Sequence, residues 1–132
     1  MTVRGACLCG AVRYVVSAPL TEPHACHCTQ CRKQSGHYIA CASAPKDAVA
    51  IEGLDHITWY AASPDARRGF CRHCGSHLFW DDGGDEWSIN AGALEAPTGI
   101  KIGRHIFVAD KGDYYDLDDG LPQFDAYPPR HA

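Results

Sequence analysis

The chain has 132 residues, 45% of them hydrophobic and 21% charged, with a formal net charge of −4. That length suits one domain of ordinary size, and residues 1–132 read as one. The acidic balance excludes the basic footprint of a nucleic-acid binder, the longest basic groupings being Arg32-Lys33 and Arg67-Arg68, and no apolar run nears the ~18 residues of a membrane-spanning helix.

The opening MTVRGACLCGAVRY lacks the apolar centre of a secretory signal, which points to the cytoplasm, where thiols stay reduced. Short runs rich in Val, Ile, Tyr, Trp and Phe then predict strands in AVRYVVS (11–17), YIACAS (38–43), AVAIEG (48–53), HITWYAA (56–62), HLFW (77–80), EWSIN (86–90) and RHIFVAD (104–110). CTQCRKQS (28–35) has no strand alternation and stops at Gly36, which predicts one or two helical turns. DDGGD (81–85) predicts a hairpin, because Gly83 and Gly84 accept the positive φ of a tight turn. The proline-spaced end, LPQFDAYPPRHA, predicts extended surface chain. The whole is predominantly β, with little helix.

Eight cysteines in a reduced compartment need a role other than disulfides. Seven fall into three groups: Cys7 and Cys9, Cys26 with Cys28 and Cys31, and Cys71 with Cys74. Thiolates two or three positions apart on a tight turn converge on one ion, and thiolate-rich tetrahedral sites suit zinc. The two outer pairs combine into a closed four-cysteine site, which is structural because no coordination position is left for chemistry. The middle group offers three ligands, and three ligands with an exchangeable fourth position is the pattern of catalytic zinc. Cys41, His24 or His27 are the alternatives that would close it. Trp59, Trp80 and Trp87 are expected in the core, and DYYDLDDG (113–120) lacks calcium-loop spacing, so it is expected as a solvated turn.

GACLCGAVRY (5–14), ACHCTQCRKQSG (25–36), FCRHCGSHLFW (70–80) and RHIFVADKGDYYDLDDGLPQF (104–124) together resemble the glutathione-dependent formaldehyde-activating enzymes and their relatives, among them centromere protein V. The resemblance implies a β-tent zinc-binding fold of small antiparallel sheets, with two zinc ions per chain. It implies a structural zinc on Cys7, Cys9, Cys71 and Cys74, and a second on Cys26, Cys28 and Cys31, where glutathione sulfur binds. The implied activity is that of a carbon–sulfur lyase condensing glutathione with formaldehyde, or a similar thiol with another small electrophile. The alternative is a non-catalytic zinc module or glutathione carrier. Arg32 and Lys33, directly after Cys31, are the candidates for the carboxylates of glutathione, with Lys111 and Arg104 behind them. His27, Tyr38 or a water displaced from zinc are the candidate proton donors.

Overall fold

Seven of the ten strands in the computed structural model, which describes residues 2–129, grow out of the runs just named. β1 (Val3–Ala6), β2 (Arg13–Val16) and β5 (Val49–Glu52) pair antiparallel in the order β1-β2-β5. The remaining strands are β3 (His24–Cys26), β4 (Ile39–Pro45), β6 (Ile57–Ala61), β7 (Arg67–Cys71), β8 (His77–Asp81), β9 (Glu86–Asn90) and β10 (Arg104–Ile106). They form one seven-stranded sheet in the order β10-β3-β4-β9-β8-β7-β6. Every neighbour in it runs antiparallel except β10, which lies parallel to β3. The mainly β architecture with little helix is therefore borne out.

Local chemistry explains the punctuation. The single α-helix among the described residues, α1 (Thr29–Ser35), starts where the Cys28 sulfur accepts the Cys31 N–H. It stops at Gly36, whose N–H returns to the Arg32 carbonyl. Between β8 and β9, Gly83 takes φ 83°, and its N–H is held by the Asp81 carboxylate at 2.9 Å.

The main core lies between the two sheets. Tyr14, Val16 and Val49 from the small sheet meet Leu78, Phe79 and Ile89 from the large one, with the Tyr14 and Phe79 rings 5.1 Å apart. At roughly 1.5–3 kcal/mol for each fully buried large apolar side chain, this layer is the principal stabilising element. A second, smaller cluster of Cys26, Cys31, Ile39, Cys41 and Ile106 lies where β3, β4 and β10 meet α1.

Trp59 and Trp87 stack at 5.4 Å against the main core, as expected, with the Arg67 guanidinium over one ring and the Lys46 ammonium over the other. Trp80 departs from expectation: it lines a cavity over the second cysteine group. The 113–120 segment is also more than a solvated turn, because it delivers Tyr115 and Asp119 to buried histidines. Residues 121–129 run as irregular, mostly exposed chain beside β10, and Arg130, His131 and Ala132 of that expected tail lie outside the described residues.

Candidate metal centres and the adjoining cavity

The β1–β2 turn and the β7–β8 turn bring Cys7, Cys9, Cys71 and Cys74 together, with all four sulfur atoms within 4.8 Å of one another. Cys7 and Cys9 sulfurs are 3.6 Å apart, and Cys9 and Cys71 are 3.7 Å apart. A tetrahedral ion with bonds of ~2.3 Å sets sulfur–sulfur edges of about 3.8 Å, whereas a disulfide needs about 2.05 Å. The spacing thus fits a metal and not a crosslink, and all eight cysteines are free. Backbone N–H groups of Val12 and His73 point at the Cys7 and Cys71 sulfurs, at 3.3 and 3.4 Å. Gly75, at φ 77°, provides the turn that follows Cys74, and the Ser76 hydroxyl bonds both Cys74 sulfur and the Leu8 N–H. Each turn therefore orients the other, even before an ion is considered.

Cys26 ends β3, Cys28 caps α1 and Cys31 lies in its first turn, which places their three sulfurs within 4.8 Å of one another. Hydrogen bonds from Cys26 and Cys31 pull the Cys28 thiol well down, while the same contacts push Cys26 up. Three sulfurs at this spacing hold one negative charge readily and resist a second and third unless a cation joins them. A divalent ion fits that donor set.

Above these sulfurs lies a cavity of about 460 Å³. Its apolar and aromatic walls include Ile39, Trp80, Ile106, Phe107 and Tyr127, and its polar lining includes His24, Arg68, Ser88, Asn90 and Asp110. Cys41 lines it too, but stands outside the three-sulfur group and meets His24 Nε2 at 3.6 Å. Burial pushes the Cys41 thiol up to about 11. Burial, with Arg104 adding to it, lowers His24.

His27 faces the opposite way. It is fully buried, hydrogen-bonded through Nδ1 to the Tyr115 hydroxyl and through Nε2 to His105 Nδ1 at 2.9 Å. His105 Nε2 continues the chain to the Asp119 carboxylate at 2.7 Å. Desolvation, with His105 next, lowers His27 to about 4. Neither His27 nor Tyr38 lines the cavity, and His27 instead fastens the loop between two cysteines to β10 and the segment after it. Arg32 is half-buried and Lys33 exposed on α1, and both lie outside the cavity lining.

Arg68 escaped the sequence reading, which noted Arg67-Arg68 only as a short basic grouping. In β7 the burial runs exposed then buried, so Arg67 faces solvent while Arg68 turns inward. Its two terminal nitrogens donate to Cys31 sulfur at 3.6 and 3.5 Å, and only 8% of the residue is exposed. The signal available was position: Arg68 lies three residues before Cys71, on the strand leading into the cysteine turn.

Comparison with known proteins gives the chain's family and its likeness of fold. The chain is 30% identical over 125 residues to an uncharacterized lyase of Schizosaccharomyces pombe, covering 91% of this chain and 88% of that one. It is 36% identical over 131 residues to a Halomonas elongata protein carrying the provisional name glutathione-dependent formaldehyde-activating enzyme, covering 89% and 82%. A crystal structure of a Rhodobacter sphaeroides protein superposes with a TM-score of 0.61 at 20% identity, over 92% of this chain and 98% of the other, a likeness of fold. The description of the glutathione-dependent formaldehyde-activating enzyme family matches residues 2–110, and the chain belongs to that family.

Proposed function

We propose that this single-domain chain is a two-zinc, cytoplasmic enzyme that condenses glutathione, or a similar thiol, with formaldehyde or another small electrophile. The reading rests on one observation: three cysteine sulfurs grouped for a metal line a mainly apolar cavity and leave a tetrahedral ion one position short, while the other group, though Cys7 and Cys9 also line a surface depression, supplies all four sulfurs. Cys7, Cys9, Cys71 and Cys74 hold the structural zinc. Cys26, Cys28 and Cys31 hold the second, which when bound supplies the charge that keeps an incoming thiol deprotonated.

The protein's own groups do the rest. The walls of Trp80, Phe107, Tyr127 and Ile106 exclude water and hold the electrophile against the sulfur. Carbon–sulfur bond formation turns the carbonyl into an alkoxide, which must gain the proton that the thiol loses. His24 is the histidine on the wall, placed to take that proton and return it. Arg32 and Lys33, on α1 beside Cys31 and outside the cavity lining, would attract the carboxylates of glutathione.

The test is metal content with a glutathione titration on protein kept reduced. Two zinc ions per chain, one changing its coordination as glutathione is added, is the expected result. Two ions with no response to glutathione or to any other thiol would sink the open-site reading and favour a binding module.

A further inference from the structure

A buried guanidinium normally faces a carboxylate, because an uncompensated interior charge is costly. Arg68 is 8% exposed, yet among the described residues no Asp or Glu oxygen lies within ion-pair distance of it. Its fork ends on Cys31 sulfur, and its Nε is buried without a partner. Arg68 is also the one Lys or Arg lining the cavity among the described residues. We infer that Arg68 is the residue that sets the affinity of the three-cysteine centre for an incoming anionic sulfur.

The charge count carries the inference, which rests on the open-site reading above. Three thiolates and a divalent ion sum to −1, and a fourth thiolate would raise that to −2 in a poorly solvated pocket. The guanidinium makes each count one less negative, so with Arg68 the fourth sulfur joins a neutral assembly. Without it, that sulfur must approach an anion. Arg68 suits the task better than a lysine, since its planar fork donates two hydrogen bonds to one sulfur and stays charged on burial. Loss of such an outer partner of a metal ligand typically changes affinity by about 10- to 100-fold.

The experiment uses the full chain with cobalt(II) in place of zinc, so that thiol binding appears as a new sulfur-to-metal charge-transfer band. Two probes of similar size are titrated, 2-mercaptoethanol and cysteamine, the second carrying its own ammonium. Wild type, whose assembly reaches only −1 with a thiolate bound, is expected to bind both probes. Arg68→Gln is expected to weaken 2-mercaptoethanol by about tenfold or more, while cysteamine loses clearly less, because its ammonium replaces the missing charge. Arg68→Lys is expected to fall between wild type and Arg68→Gln.

Equal affinities in Arg68→Gln and wild type would overturn the inference, as would an equal loss for both thiols, which is what mere packing would give. Should Arg68→Gln fail to fold, Arg68→Lys still decides: affinity for 2-mercaptoethanol equal to wild type overturns the inference, and a loss larger than that for cysteamine supports it. A wild type that answers neither thiol refutes the open site itself and this inference with it, a result distinguishable from failure confined to the variant.

Discussion

Replacing Cys71 by Ser separates the two cysteine centres by their mechanical roles. Cys71 is fully buried, and its sulfur lies 3.7 Å from that of Cys9, 62 positions earlier in the chain. An ion joining these turns closes a loop of that length, which in the chain-entropy account stabilises the fold by about 4 kcal/mol. Against a total stability of roughly 5–15 kcal/mol, that loss is severe. For a chain of this size it corresponds to a fall in melting temperature of about 15 °C. Cys31→Ser acts differently, because Cys26, Cys28 and Cys31 lie within six residues from the end of β3 to the start of α1, and an ion there closes no long loop. Its expected fall is below about 5 °C. Thermal unfolding followed by circular dichroism, with metal counted on the same samples, measures both. A Cys71→Ser protein that keeps two ions and its melting temperature would refute the clip. So would a Cys31→Ser protein that unfolds as readily as Cys71→Ser.

Other outcomes follow from single side chains. Tyr14 is 2% exposed and its hydroxyl has no partner among the described residues, so Tyr14→Phe is expected to stabilise by about 1 kcal/mol, read by urea unfolding. Asp81, 5% exposed, accepts hydrogen bonds from Lys46 at 2.8 Å and Arg67 at 3.0 Å, and Asp81→Asn is expected to cost about 2 kcal/mol near neutral pH. Burial pushes the Asp81 carboxyl up, but Lys46, the Gly83 N–H and Arg67 outweigh it and hold it below the usual range. A depressed folded value gives stability that is full above the unfolded value of about 3.9 and lost as pH falls through the folded one. The gap between wild type and Asp81→Asn should therefore narrow below about pH 4, and a constant gap from pH 7 to pH 3 would count against the pairing. A strong chelator is expected to remove the ion from the three-cysteine centre first, since that centre offers fewer protein ligands; simultaneous loss would contradict the assignment of roles.

The legible parts of this protein were those governed by local rules. EWSIN is β9 without a residue's error, CTQCRKQS is α1 with Cys28 as its cap, and the Gly83 turn lies where its glycines put it. Cysteine spacing likewise grouped the same seven sulfurs that the fold brings together. What stayed hidden depends on distant partners. β3 is three residues long and exists because β4 and β10 flank it. β7, RRGFC, looks too polar and too glycine-bearing for a strand until β6 and β8 supply pairing on both sides. The inward turn of Arg68 follows from that pairing, and so escaped notice with it. The roles of Tyr115 and Asp119 escaped for the same reason, since nothing near them in sequence indicates a buried histidine.

The His27 chain of hydrogen bonds bears on the order in which the molecule is made. His105 follows His27 by 78 positions and Tyr115 follows it by 88. A ribosome releases the three cysteines of residues 26–31 long before any residue able to fasten the loop between them. During synthesis those thiols are open to stray metals and oxidants, with neither β10 beside them nor Tyr127 over the cavity. Contacts of such long range also form slowly. The cavity end of this protein is thus the last to assemble, because its closing contacts wait for the final segment.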